Sequence, residues 1–196
     1  MQSEKQQQNN IIPTDPEDHV LIDHHDSSHS RTVLLAVEHS EHSVYALDWV
    51  KRNFLNKSTD LIVLVNVRTF PSLYNYGSPH GDFLTAAYSL DEEARKASHA
   101  LLQKFGGELK ADGYFVRAVA IRGDPRSEIV RKSSELKADT VIVSSRGLGA
   151  IKRTFLGSTS DYVCHHCSCP VLVVKHPSEE GTATAAPGTQ RVTSNN

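Results

Sequence analysis

The chain has few of the features that mark specialised protein classes. Only three cysteines occur in its 196 residues, all between Cys164 and Cys169, so they cannot build a disulfide framework for a domain of this size. No segment approaches the roughly 20 consecutive apolar residues that span a bilayer. Residues 1–10 are polar and lack the apolar region of a signal peptide. We therefore expect a cytoplasmic protein with no membrane association.

An excess of charge of one sign is also missing. The formal net charge is -2 and the isoelectric point is near 6.6, which gives no broad basic surface for DNA or RNA. Hydrophobic residues make up 38% of the chain and charged residues 22%, a balance typical of folded globular proteins. Nucleic acid is therefore disfavoured as the main partner.

Polar segments flank a central domain. Residues 1–30 are rich in Gln, Asn, Asp and Ser and hold four histidines, but their only apolar patch is residues 20–22, too little surface to fold alone. No histidine spacing there fixes a metal geometry, so a solvated tail is favoured over a metal site. We expect disordered tails at residues 1–30 and 177–196 and one domain at residues 31–176.

Within that domain, short apolar runs alternate with helical patterns. The runs are too brief for helices and predict buried strands at residues 32–37, 61–67, 115–121, 140–143 and Val171–Val174. Helices are predicted after Ser40, from about residue 91 to 110, after Asp124, and from Ser158 to about Cys167. This order predicts an α/β fold, a single doubly wound five-stranded parallel sheet with helices on both faces.

Several residues are expected to set the helix ends. The side chains of Ser40 and Asp124 should cap their helices, and Ser158 with Asp161 has the spacing of a capping box. Glycines at 106 and 107 should weaken or end the second helix. Residues 70–82, with two prolines and two glycines, form either a lid or a variable insertion, and the insertion is favoured.

The segment after the fourth strand combines glycines, hydroxyls and three cations just before a helix, over residues 144–159. Glycine lets backbone N–H groups approach a phosphate, and a helix N-terminus supplies unpaired donors. Ligands of open α/β sheets bind beyond the carboxyl ends of the strands, so the pattern favours an anion site. The spacing is not that of a Walker motif, and a glycine-rich surface loop with solvated cations stays an open alternative.

The segment resembles the signature of the universal stress protein family, Gly-x2-Gly-x9-Gly-Ser/Thr, through Gly147, Gly157 and Ser158. Further similarity lies at residues 36–40, 66–68, 123–125 and 169–171 and extends over residues 31–176. Plant-type members of the ATP-binding subgroup are most similar. The resemblance implies an adenine nucleotide alpha hydrolase-like, Rossmann-like fold that binds ATP or AMP, with Mg²⁺ accompanying ATP. It also implies a homodimer joined at the edge strand Val171–Val174.

The resemblance assigns the phosphates to the signature residues and the nucleoside to the loops after the first two strands, with a main-chain adenine contact at Val67. The candidate nucleotide-binding residues are Val37, Glu38, Val67, Val143, Ser144, Arg146, Gly147, Gly157, Ser158 and Thr159. Two of them depart from the family pattern, because Ser144 replaces the first signature glycine and Glu38 replaces an aspartate. Both changes can weaken nucleotide binding or shift the base, although the Ser144 hydroxyl can also donate a hydrogen bond of its own.

No catalytic residue or metal ligand can be assigned from the sequence. The run Cys164–Cys169 contains three cysteines and two histidines but is compressed across a predicted helix end, which favours buried small side chains over a metal site. Three functions stay open: a nucleotide-dependent binding or signalling module in the stress response, a slow ATP hydrolase, and a nucleotide-free dimeric interaction protein. The first is favoured.

Overall fold

The computed structural model of the protein describes residues 18–25, 29–69, 81–145 and 156–177, with the backbone alone described at 81–87. These residues form six strands: β1 (His19–His24), β2 (Arg31–Ala36), β3 (Asp60–Arg68), β4 (Phe115–Arg122), β5 (Thr140–Ser144) and β6 (Val171–Val174). They form four helices: α1 (Glu41–Asn53), α2 (Gly81–Ala111), α3 (Pro125–Glu135) and α4 (Ser158–His166).

The strands form one sheet in the order β1-β4-β3-β2-β5-β6. β2 through β6 pair in parallel, and β1 alone runs antiparallel, against β4. The predicted doubly wound parallel sheet is confirmed, and the predicted number of five strands is corrected to six in the described part of the chain. The chain moves from β2 outward to β3 and β4, then crosses back to β5 on the other side of β2. This reversal creates a switch point between β2 and β5.

Helices cover both faces of the sheet, as predicted. One core packs α1 and α2 against one face around Leu47, Leu64, Leu102 and Phe105. The other packs α3 and α4 against the opposite face, with Ile129 and Val163 among its buried residues. The apolar residues of β3 are almost all inaccessible to solvent, which explains why this strand is a continuous apolar run rather than an alternating one.

β1 corrects the expectation that residues 1–30 form a tail without structure. Its apolar residues are too few to fold alone, but Leu21 and Ile22 pack against the core under α2. The Asp23 carboxylate accepts a hydrogen bond from Nη2 of Arg117 on β4 at 2.7 Å. Tertiary contacts therefore stabilise a segment whose composition predicts disorder. Residues 1–17, 26–28 and 178–196 of the expected tails lie outside the described residues.

The helix ends agree only in part with the sequence. Ser40 caps α1 by accepting a hydrogen bond from the Ser43 N–H, as predicted. Asp124 occupies the N-cap position of α3, but its side chain makes no capping hydrogen bond there and pairs with Arg126 instead. This carboxylate therefore does not cap the helix as expected.

α2 is longer than predicted, because it begins at Gly81 and runs without a break through Gly106 to Ala111. A Cβ atom built on Gly106 would lie 2.5 Å from Cδ1 of Ile22, so the absent side chain leaves room for β1. The helix ends before Gly113, whose φ of 85° favours glycine. No helix among the described residues has the length and apolar character needed to cross a membrane.

Candidate functional site

The carboxyl ends of β2, β3 and β5 meet at one edge of the sheet, and the described candidate residues that follow or end these strands lie there. The Val37 N–H continues the β2 ladder by donating to the Val65 carbonyl at 2.9 Å. Nδ2 of the buried Asn66 donates to the Val37 carbonyl at 2.7 Å. Because that bond orients the Asn66 amide, the ends of β2 and β3 are fixed relative to each other.

Glu38 is attached to the start of α1. Its backbone N–H donates to Oγ of Ser43 at 2.8 Å, and its Oε1 accepts from Oγ of Ser40 at 3.2 Å. The same Ser40 oxygen accepts from the Ser43 N–H. The longer side chain at this position therefore reaches the helix cap, which holds a negative charge beside the first turn of α1, where such a charge is stabilising.

The end of β3 is fixed on its other side by α2 and by the loop before α3. The Arg68 carbonyl accepts from the Gly123 N–H at 2.9 Å, and the Arg68 guanidinium forms an ion pair with Asp91 of α2. The two charged side chains are only 10% and 15% exposed. A Cβ atom on Gly123 would lie 2.6 Å from Cγ of Glu128, so a larger residue here would require the Glu128 side chain to move.

A cavity of about 320 Å³ opens between the ends of β2 and β3 and the middle of α2. That volume is at the lower end of the range for small-molecule sites. Its lining residues are Glu38, His39, Asn66, Val67, Arg68, Thr69, Ala94, Ala97 and Ser98. Two of the candidate residues, Glu38 and Val67, therefore line one cavity.

The N-terminus of α4 is anchored at the end of β5. The Ser145 N–H donates to the Val174 carbonyl at 2.9 Å, and the Ser145 carbonyl accepts from the Gly157 N–H at 2.8 Å. Oγ of the buried Ser160 lies 3.3 Å from the Ser145 carbonyl and 2.9 Å from the Gly157 carbonyl. These bonds attach the first turn of α4 to the sheet beside Val143 and Ser144.

The geometry at the start of α4 changes the roles expected for the signature residues Gly157 and Ser158. The N-cap of α4 is Gly157 rather than Ser158, so the predicted capping box of Ser158 and Asp161 is wrong. The Gly157 N–H already donates to the Ser145 carbonyl. The backbone N–H groups that could bind a phosphate at the first turn of α4 are therefore those of Ser158 and Thr159. Ser158 is exposed and Thr159 partly exposed. Arg146 and Gly147, the other expected phosphate contacts, lie outside the described residues.

The cysteine and histidine run is surface structure at the end of α4. Cys164 is exposed, contrary to the expectation of a buried side chain, while Cys167 and Cys169 are partly buried. Burial raises the pKa of the Cys169 thiol, and the neighbouring Cys167 raises it further. Nδ1 of His165 lies 2.9 Å from the Asp161 carbonyl, one turn earlier. Across the described ranges, no group of three or more His, Cys, Asp or Glu side chains could hold a metal ion.

Most of the residues that line or support the cavity were not predicted from the sequence, among them Asn66, Asp91 and Ser98. Asn66 had a usable signal, because it is the one polar residue in the apolar run 61–67. Asp91 and Ser98 had none, since helical periodicity does not reveal which residues of α2 reach the ends of the strands.

Comparison with known proteins settles the family. The family model for the universal stress protein family matches residues 29–175. The chain belongs to the universal stress protein family. The resemblance predicted from the glycine signature is therefore confirmed, and the matched region includes β2 through β6 but leaves out β1.

Individual relatives agree with this assignment. A universal stress protein of Thermus aquaticus is 30% identical over 74% of this chain and 98% of its own length. Universal stress protein PHOS34 of Arabidopsis thaliana is 28% identical over 81% of this chain and 66% of its own length. The chain thus matches about two thirds of that plant relative.

A solved structure has the same fold. The crystal structure of a universal stress protein family protein from Arabidopsis thaliana with AMP bound superposes with a TM-score of 0.55, over 79% of this chain and 98% of that protein. The two sequences are 23% identical.

Proposed function

We propose that this universal stress protein binds an adenine nucleotide, ATP or AMP, and acts as a binding or signalling module of the stress response in the cytoplasm. The observation that carries the proposal is the cavity at the ends of β2 and β3, combined with the anchored N-terminus of α4 across the switch point. Open α/β sheets bind nucleotides at such points. The AMP bound by the Arabidopsis neighbour supports the same ligand class.

In this proposal the nucleoside enters the cavity and the phosphates extend toward α4. The main chain of Val67 contacts the adenine, and Glu38 faces the nucleoside from the end of β2. Val143 and Ser144, at the end of β5, lie between the nucleoside cavity and the phosphate donors of α4. Ser158 and Thr159 supply hydroxyl and backbone donors to the phosphates, where the positive end of the helix dipole favours an anion. Arg146 and Gly147 are proposed to complete the phosphate site.

Mg²⁺ would arrive with ATP rather than occupy a site built by the protein. Magnesium commonly binds through one or two carboxylates plus the substrate phosphates. Among the described residues lining the cavity, Glu38 is the one carboxylate, and it is already engaged by Ser40. The phosphates would therefore supply most of the ligands.

The direct experiment is to denature the purified protein and identify any nucleotide that it releases. Added ATP or AMP should also raise the unfolding temperature by an increment that grows with ligand concentration. Release of no nucleotide, together with no thermal shift from ATP, ADP or AMP, would contradict the proposal and favour a nucleotide-free interaction protein. Phosphate release from ATP that persists at the same rate in Ser158→Ala would indicate a contaminating hydrolase.

A variant at the start of α4 tests the phosphate site. Ser158→Ala should weaken AMP binding by about tenfold, because a hydrogen bond to a charged group is stronger than one between neutral groups. Ser168→Ala is the matched control, since Ser168 is also exposed but lies beyond the far end of α4. Equal affinities for the two variants would exclude Ser158 from the phosphate contacts.

A further inference from the structure

Ser98 is a polar side chain in an environment that does not satisfy it. The residue is 2% exposed, and its Oγ atom has no hydrogen-bond partner among the residues that the structure describes. A buried hydroxyl without a partner destabilises a fold. Serine is also a weaker helix former than alanine, and Ser98 lies in the interior of α2. Neither local structure nor stability accounts for a serine at this position.

The surroundings of Ser98 indicate a role in binding. Ala94, Ala97 and Ser98 are spaced as i, i+3 and i+4, so they lie on one face of α2, and all three line the cavity. Each has a small side chain, which leaves the space next to α2 open. Asn66 and Val67 line the same cavity from the end of β3. A flat group could therefore lie between the strand end and the helix.

We propose that Ser98 is a binding residue for the nucleobase and that its hydroxyl forms a hydrogen bond with the polar edge of the base. This inference rests on the proposed nucleotide-binding function. The cavity lies on the β3 side of β2, whereas α4 and its phosphate donors lie on the β5 side. The group that reaches α2 is therefore the end of the nucleotide farthest from the phosphates.

The chemistry of a serine hydroxyl fits this role. The hydroxyl can donate one hydrogen bond and accept others, and the edge of adenine carries both an amino donor and ring-nitrogen acceptors. Because no described partner holds the Ser98 hydroxyl, rotation about χ1 can turn it into the cavity when the base enters. The stability lost in the empty protein is recovered when the base supplies the missing partner.

The test compares Ser98→Ala with the wild-type chain, using AMP and ribose 5-phosphate as probes. We expect AMP to bind about 3- to 10-fold more weakly to the variant, the range for a single neutral hydrogen bond. Ribose 5-phosphate has no base, so its affinity should be unchanged. The unfolding temperature of the empty variant should equal or exceed that of the wild-type protein. Ser89→Ala, an exposed position on the same helix, is the matched control and should leave AMP binding unchanged.

Three outcomes would overturn the inference. Equal AMP affinity in Ser98→Ala and wild type would show that the hydroxyl makes no contact with the base. An equal loss for AMP and ribose 5-phosphate would move the contact to the sugar or to the overall structure. A lowered unfolding temperature of the empty variant would assign Ser98 a structural role. If wild-type protein binds no AMP, the proposed function itself fails, a result distinct from these three.

Discussion

The two edges of the sheet differ in how they are built. β1 is antiparallel, lies outside the family match, and has a register shift between Val20 and Ile22. Half of its six residues are His or Asp. β6 is parallel, lies inside the family match, and has the sequence VLVV. Charges and irregular pairing protect a sheet edge from other strands, whereas a short apolar strand without them is open to pairing.

The contacts that hold the two edges differ as well. Both edge strands pair through the backbone, but side-chain charges add to this pairing at β1, where Asp18 pairs with Lys132 and Arg131 of α3 and Asp23 pairs with Arg117 of β4. Backbone bonds hold β6: the Val141 N–H donates to the Pro170 carbonyl, and the Ser145 N–H donates to that of Val174. The β1 edge should therefore respond more strongly to pH and to charge substitution than the β6 edge. The resemblance to the family predicted a homodimer joined at β6, and we propose it on this basis.

The largest change in stability is expected from breaking the buried ion pair at the β1 edge. Lys132→Met removes a cation that is 2% exposed and paired with Asp18, which is fully buried. The Asp18 carboxylate then keeps only the partly exposed Arg131 as a partner, and breaking a buried ion pair typically costs about 3 kcal/mol. Urea unfolding should show this loss in the free energy of unfolding. Arg126→Met, on an exposed part of the same helix, is the control and should change stability little.

A second substitution sharpens this test. In Lys132→Met combined with Asp18→Asn, the unpaired charge is gone, so much of the lost stability should return. A double variant as unstable as Lys132→Met alone would show that the loss does not come from an unpaired Asp18 carboxylate.

A smaller change, in the affinity of dimerisation, is expected from a substitution in β6. The Pro170 and Val174 carbonyls both face β5, so alternation along the strand directs the peptide groups of Val171 and Val173 to the open edge. Val173→Pro deletes an outward N–H, and proline is tolerated on an edge strand. Dimerisation should weaken more than tenfold in sedimentation, while Val173→Ala, which keeps the N–H, should retain it. A wild-type protein that sediments only as a monomer would refute the homodimer.

The smallest expected effect is a pH dependence of stability that arises where His19 of β1 meets His99 of α2. The rings of His19 and His99 lie 5.9 Å apart. Burial lowers the pKa of His99, and the nearby Arg95, His19 and Arg68 lower it further against an opposing contribution from Glu92. The unfolded chain therefore binds the proton more readily than the folded chain, so stability should fall as the pH drops below about 6.5.

Thermal unfolding between about pH 7 and about pH 5 measures this dependence. His99→Gln removes the titrating group, and its unfolding temperature should fall less steeply over that interval. If the slopes of variant and wild type coincide, His99 does not contribute to the acid sensitivity.

The same contrast explains how far the sequence predicts the fold. The buried parallel strands are continuous apolar runs bounded by polar residues, and β6 was predicted at Val171–Val174 as observed. β1 could not be predicted, because its stability comes from partners distant in the chain, such as Lys132 and Arg117. Gly106 was expected to weaken or end α2, yet the helix continues to Ala111, and Ile22 of β1 occupies the space beside this glycine.

The residues of the candidate site also divide into those that the sequence predicts and those that depend on tertiary packing. Glu38 and Val67 follow directly from strand ends, and the structure brings them to one cavity. Ser98 and Asp91 come from α2, whose contribution depends on how the helix packs over the sheet. Residue spacing also could not show that the Gly157 N–H is bonded to Ser145.

The position of β1 outside the family match has a practical consequence for protein production. A chain shortened to the family boundaries, starting at residue 29, would uncover the outer edge of β4 and leave the guanidinium of Arg117 without Asp23. It would also remove Asp18 from the buried Lys132. Such a fragment keeps every family motif but should aggregate more readily than the full chain, so expression for biophysical work should retain residues 18–28.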